Sequence, residues 1–151
     1  MSPIVIDNYV SFNSFQTLKK GFMGSEFPWF YNPHVLTAAG EDEDNQGYQF
    51  TNLLYRQNHG PISEGYNFII PILQKLDTPN IIIRAKINLN PRDNKHTMLG
   101  GYHTDHPFNN AKTAIYYVNT NNGWTEFDTC LLYTSDAADE GLGVDLGGRR
   151  I

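Results

Sequence analysis

Apolar and polar residues alternate most regularly between Asn80 and Leu89, in the stretch NIIIRAKINL. Successive side chains of a β-strand point to opposite faces, so a period of two predicts a strand with one apolar and one polar face. The apolar face would carry Ile81, Ile83, Ala85, Ile87 and Leu89, and the polar face Arg84, Lys86 and Asn88. The polar residues are then either solvated or line a cavity.

Helical spacing of apolar residues marks two further segments. Ser11 is placed to cap a helix that would carry Phe12, Phe15, Leu18 and Phe22 on one side. The stretch Ser63–Leu76 (SEGYNFIIPILQKL) predicts a mostly buried helix. Pro71 should kink this second helix or begin a new turn, because proline cannot donate the helical hydrogen bond.

β-branched and aromatic runs predict the remaining strands, at Pro3–Val10, Tyr48–Tyr55, Gly101–Asp105, Lys112–Asn119 and Trp124–Phe127. The Asn-Gly chemistry of Asn119–Gly123 predicts a turn that pairs the last two strands as a hairpin. With helices first and antiparallel strands after them, the order predicts an α+β protein. Helices would pack on one face of a sheet, or the strands would form half of a β-sandwich or barrel.

The composition is that of one globular domain. The chain has 151 residues, of which 13% are aromatic and 18% charged. No apolar run approaches the roughly 20 residues that span a bilayer, and the N-terminus lacks the pattern of a signal peptide. We therefore expect a cytoplasmic protein with no membrane partner. The formal net charge of −5 argues against a nucleic-acid partner.

Residues 130–151 differ from the rest of the chain. Cys130–Glu140 resembles the translation of a transposase-type sequencing adapter, and Val144–Ile151 resembles the outer primer, with Gly141–Gly143 where a variable index would lie. We therefore expect a partial domain at 1–129 and a non-native tail at 130–151, with the natural protein continuing beyond Thr129. The tail holds four carboxylates and two arginines, so residues 1–129 carry −3 of the formal −5. It also holds the only cysteine, so no disulfide or thiolate metal site remains.

The segment GGYHTD, Gly100–Asp105, carries the candidate chemistry. In a strand, His103 and Asp105 project to the same face, so one imidazole nitrogen and one carboxylate oxygen converge. These are two of the three ligands in the facial triad that holds Fe(II) and leaves positions open. The third ligand would be a histidine from a distant strand on the same face.

A second pattern follows the His-x-Asp pair at close range, in KTAIYYVNTNNGWTEF. Together they resemble the Fe(II)/2-oxoglutarate-dependent oxygenases, closest to the prolyl-hydroxylase-like type common in phage and marine metagenomes. The pattern is His-x-Asp, a strand T-x-I-Y-Y-x-N, a turn with glycine, and x-T-x-F. The matching positions are Thr113, Ile115, Tyr116, Tyr117, Asn119, Gly123, Thr125 and Phe127.

The resemblance implies a role for four residues. His103 and Asp105 match the first two iron ligands. Tyr117 matches the strand tyrosine whose hydroxyl holds the distal carboxylate of 2-oxoglutarate, although an ordinary core tyrosine is the alternative. Asn90 lies where some relatives place a tyrosine against the other end of the cosubstrate. His106 is expected at the rim of the site, and His59 in a loop.

The fold and activity also follow from the resemblance. It implies an incomplete double-stranded β-helix, or jelly roll, with N-terminal helices. The longer protein would be a dioxygenase that uses O2 and 2-oxoglutarate to hydroxylate a small molecule or a protein side chain, in a host cytoplasm if viral. The third iron ligand and the arginine that binds 2-oxoglutarate would lie beyond Thr129, so the chain itself is expected to be inactive and poorly soluble.

Two other functions fit the same residues. A non-catalytic jelly roll, as a binding or viral structural module, would leave His103 and Asp105 as surface residues. A cupin-type isomerase or metal-dependent hydrolase would need more than one carboxylate near the metal, and only Asp105 is well placed.

Overall fold

This computed structural model describes residues 3–33, 48–76, 81–91, 107, 111–120 and 123–127, together with the backbone of 130–133. The chain divides into two compact units, one formed by Met1–Lys20 with Tyr102–Ile151 and the other by Gly21–Gly101. The elements are α1 (Phe12–Met23), β1 (Phe30–Asn32), β2 (Gln49–Arg56), β3 (Gly60–Pro61), α2 (Tyr66–Leu73), β4 (Arg84–Leu89), β5 (Trp124–Phe127) and β6 (Cys130–Tyr133).

β2 is the central strand of an open antiparallel sheet in the Gly21–Gly101 unit. It pairs with β4 along most of its length, and with β1 and β3 near its two ends. The predicted strand Tyr48–Tyr55 is therefore confirmed with a shift of one residue. The described part of the chain is thus a mixed α+β protein with two helices and an open antiparallel sheet.

β4 has the two faces that its alternation predicts. Ala85, Ile87 and Leu89 are half-buried, whereas Arg84, Lys86 and Asn88 are exposed. The strand begins at Arg84, so the predicted start at Asn80 is too early, and Ile81 is 68% exposed. Cross-strand partners share a face, so the polar side of β4 continues onto β2 through Arg56 and Thr51.

A β-bulge at Leu54 shapes the apolar side of the sheet. The register between β2 and β4 shifts between Leu53 and Tyr55, which leaves Leu54 as the extra residue. Leu54 packs beside Gly65, and Tyr55 stacks on Tyr66 with ring centroids 5.6 Å apart. The bulge therefore lets two successive side chains of β2 contact the start of α2.

Aromatic rings fill the core of this unit. The Phe22 ring lies edge-on to those of Phe27 and Phe68, at centroid distances of 5.0 and 5.4 Å. A Cβ atom added at Gly21 would lie 2.6 Å from the Phe68 ring, and one at Gly65 would lie 2.7 Å from the Phe27 ring. These two glycines let the aromatic side chains approach the backbone closely.

A buried amide joins this core to the loop before β1. Asn52 of β2 is only 2% exposed, and its Nδ2 donates to the carbonyl oxygen of Pro28 at 2.8 Å. Among the described residues, its Oδ1 accepts no hydrogen bond. Asn52 therefore fixes the loop at the cost of one unsatisfied buried acceptor.

α1 begins as predicted, with Ser11 as its cap. The backbone N–H of Ser14 donates to Oγ of Ser11 at 3.2 Å, which satisfies one of the unpaired donors of the first turn. Phe15, Leu18 and Phe22 are 5%, 1% and 2% exposed, as their spacing predicts. Phe12, in the first turn, is 72% exposed, so the buried part of that side begins at Phe15.

Three predictions about helices and their order need correction. α2 lies between β3 and β4, so the helices do not all precede the strands. It begins at Tyr66 after a turn in which Ser63 Oγ accepts from the N–H of Gly65, and it continues through Pro71. Pro3–Val10 forms no strand, since Asn8 has a left-handed φ of 53° within a turn.

The other unit contains a two-stranded hairpin. β5 has the predicted bounds, Trp124–Phe127, but its partner is β6 rather than Lys112–Asn119. That earlier segment holds only an isolated bridge residue, Tyr116. β6 falls at the start of the predicted non-native tail. Strand pairing uses backbone groups that every such segment carries, so it does not depend on the origin of these residues.

Candidate functional site

Tyr117 is the predicted site residue with the best-defined surroundings. Its hydroxyl lies 2.6 Å from Oγ1 of Thr125 on β5, in a partly buried setting. This is a short O–H···O contact, and either hydroxyl could be the donor. The two residues are eight positions apart in the chain, so the bond ties the Tyr117 segment to β5.

The direction of this bond decides what Tyr117 can bind. A phenol has one proton to donate and can also accept. When Thr125 donates, Tyr117 accepts and can direct its own proton toward a carboxylate. When Tyr117 donates to Thr125, that proton is used. Thr125 is therefore one partner on which the hydrogen-bonding role of Tyr117 depends.

Thr125 matched the sequence pattern, but the pattern assigned it no role. A signal was present in the spacing. Tyr117 and Thr125 lie at equal distances from position 121, the centre of the segment Asn119–Gly123 that the sequence predicts as a turn. Position 121 itself lies outside the described residues.

Tyr116 contrasts with its neighbour. Its hydroxyl is buried, and among the described residues it makes no hydrogen bond. Burial raises the pKa of the Tyr116 phenol above its ordinary value, because the phenolate would lose its hydration. Tyr116 is half-buried, and its phenol stays neutral at physiological pH.

Asn90 directly follows β4, in the unit formed by Gly21–Gly101. It is exposed, and it continues the even-numbered positions that form the polar side of β4 with Lys86 and Asn88. Tyr117 belongs to the other compact unit. A role of Asn90 in binding 2-oxoglutarate stays a prediction.

The predicted metal ligands His103 and Asp105 lie outside the described residues. Among the residues that are described, no group of three His, Cys, Asp or Glu side chains could hold a metal ion. His59 is exposed in the turn between β2 and β3, as expected for a loop histidine. No helix in the described part of the chain is long and apolar enough to cross a bilayer.

Comparison with known proteins adds no relative. No family model matches the chain, and neither a curated protein nor a solved structure matches it. The oxygenase function therefore stays a prediction from the residues themselves: the His-x-Asp pair and the tyrosine pattern that follows it.

Proposed function

We propose that the chain is part of an Fe(II)- and 2-oxoglutarate-dependent oxygenase that hydroxylates a small molecule or a protein side chain. The complete domain would be a double-stranded β-helix, of which residues 1–129 supply the first part. The chain as it stands holds two of three expected metal ligands and would not turn over substrate.

The observation that carries this proposal is the setting of Tyr117, twelve positions after Asp105. Its partly buried hydroxyl is hydrogen-bonded to Thr125. A hydroxyl pair in such a setting can present a proton to a carboxylate, since O–H···O⁻ bonds are short and roughly twice as strong as neutral ones. The same pair in an ordinary core would serve only to join two segments.

The residue types also suit the metal. A histidine and an aspartate, completed by a second histidine, bind Fe(II) and leave positions for the cosubstrate and oxygen. Fe(II) with 2-oxoglutarate and O2 would supply the oxidising chemistry. The protein would position the 2-oxoglutarate and the substrate. His103 and Asp105 would hold the iron, while Tyr117 would contact 2-oxoglutarate.

The test requires the uninterrupted gene beyond Thr129. The encoded protein should release succinate from 2-oxoglutarate in the presence of Fe(II) and O2. Asp105→Ala and His103→Ala should each lower this release by at least about a hundredfold, as expected when a metal ligand is lost. His106→Ala is the matched control, since we expect His106 at the rim, and it should retain most of the activity.

Two outcomes would refute the proposal. One is equal succinate release by the wild type and Asp105→Ala. The other is a continuation of the gene that contains neither a further histidine nor an arginine suited to the 2-oxoglutarate carboxylate. The second outcome would favour a non-catalytic jelly-roll module.

A further inference from the structure

Positive charge is concentrated on the sheet of the Gly21–Gly101 unit. The four described strands β1–β4 contain three cationic residues, Arg56, Arg84 and Lys86, and neither Asp nor Glu. All three side chains are exposed. The sheet therefore has a charge opposite to the formal −5 of the whole chain.

The strand register places these cations on one face. Arg56 is the cross-strand partner of Arg84, and Leu53 is the partner of Lys86. Arg84 and Lys86 are two positions apart in β4, so they point to the same side. Successive rows on one face are roughly 7 Å apart, so the cations form a short stripe along the sheet.

Arg56 and Arg84 lie opposite each other across the β2–β4 pair. Like charges directly opposite each other on a sheet are destabilising. Arg84 and Lys86 already take part in interactions of their own. A guanidinium has five N–H donors in a planar fork, so an arginine with one partner can still bind a phosphate oxygen.

An exposed aromatic ring continues the stripe. Phe30 of β1 pairs with Thr51, which pairs with Asn88 on its other side, so the Phe30 ring belongs to the same face as the cations. The ring is 61% exposed. We call this set of residues the basic face. Its members are Phe30, Thr51, Asn88, Lys86, Arg84 and Arg56.

We propose that the basic face binds single-stranded nucleic acid. Phosphates would lie against Arg56, Arg84 and Lys86, and one base would stack on Phe30. This combination of a cationic track and an aromatic platform is how proteins bind single strands without sequence preference. A duplex would not suit Phe30, because its bases are already stacked on one another. This inference is independent of the oxygenase proposal. It differs from the expectation that the negative net charge argues against a nucleic-acid partner.

The test measures fluorescence anisotropy of a short labelled oligothymidylate with the 151-residue chain, in a chelator-containing buffer without iron. We expect micromolar to tenth-millimolar affinity, with a slope of log K against log salt of about −2, as three phosphate contacts to a single strand give. Arg56→Gln and Lys86→Gln should each reduce the slope by about 0.7. Lys75→Gln, an exposed lysine off the sheet, should leave it unchanged.

The contribution of the Phe30 ring to binding is tested by a variant and a matched control. Phe30→Leu keeps an apolar side chain but removes the ring, and it should weaken binding about fivefold or more. Phe12→Leu changes another exposed phenylalanine, on α1, and should have no effect. Circular dichroism of each variant establishes that it is folded.

Three results would overturn the assignment. One is no detectable binding, and another is equal weakening by Lys75→Gln and Lys86→Gln. The third is tighter or equal binding of inorganic polyphosphate of the same charge, which would show that the face recognises polyanions without using Phe30.

Discussion

The sheet around β2 and the segment that leads into β5 differ in how sequence relates to structure. β4 has a plain alternation of apolar and polar residues, and the structure confirms its two faces. Residues 111–120 carry the most specific functional pattern, but they contain only one bridge residue and no strand. The alternation of apolar and polar residues reflects how one strand divides its side chains between core and solvent. A functional pattern consists of side chains whose role depends on contacts with residues in other segments.

The largest change in stability is expected in the aromatic core beside the sheet. Phe22→Ala should lower the free energy of unfolding by about 3–5 kcal/mol, because it removes a 2% exposed ring that contacts Phe27 and Phe68. Phe12→Ala on the same helix should change it by less than about 0.5 kcal/mol, since Phe12 is 72% exposed. Urea unfolding followed by circular dichroism measures both. Similar losses in the two variants would contradict the assignment of α1's buried side.

A moderate effect is expected at the buried amide of β2. Asn52→Ala removes the hydrogen bond to the Pro28 carbonyl and should cost about 1–3 kcal/mol in the free energy of unfolding. Asn88→Ala, an exposed asparagine in the adjacent strand, is the control and should be within about 0.5 kcal/mol of the wild type. If Asn52→Ala is as stable as Asn88→Ala, the amide does not hold the loop before β1.

The smallest effect separates the two adjacent tyrosines near β5. Tyr117→Phe removes a hydroxyl that bonds to Thr125 and should cost about 0.5–1.5 kcal/mol. Tyr116→Phe removes a buried hydroxyl that makes no hydrogen bond among the described residues, so it should be neutral or stabilising. A double-mutant cycle of Tyr117→Phe with Thr125→Val should give a coupling of at least about 0.5 kcal/mol.

An alkaline titration of the same variants checks the Tyr116 assignment. The pKa of Tyr116 is raised in the folded state, so that state holds its proton more tightly than the unfolded chain does. Stability from this residue is complete below the unfolded pKa of about 10 and falls as the pH rises above it. Tyr116→Phe should flatten this decline. An unchanged decline would place the titrating group elsewhere.

Several parts of the fold could be predicted because their causes are local. Ser11 caps α1 through a bond to a residue three positions away, and the apolar spacing after it selects the buried side. The spacing does not decide how far burial extends along that side, and Phe12 in the first turn is 72% exposed. Pro71, expected to kink its helix or begin a new turn, lies inside α2.

Features that depend on a distant partner could not be predicted in this way. The burial of Asn52 depends on a carbonyl 24 positions away, and nothing in the alternation of β2 indicates it. The bulge at Leu54 exists only relative to the register of β4. The Tyr117–Thr125 bond lies between these cases, because the hairpin spacing suggests it although Lys112–Asn119 is not the strand that pairs with β5.

The sequence by itself indicated that α1, β2, β4 and β5 form and which side of β4 is polar, because side-chain periodicity is a property of each segment alone. Only the tertiary structure decided which strands pair, which polar group is buried and which hydroxyl Tyr117 contacts. Backbone donors and acceptors are nearly the same at every residue, so the choice among partners is made by packing over the whole chain.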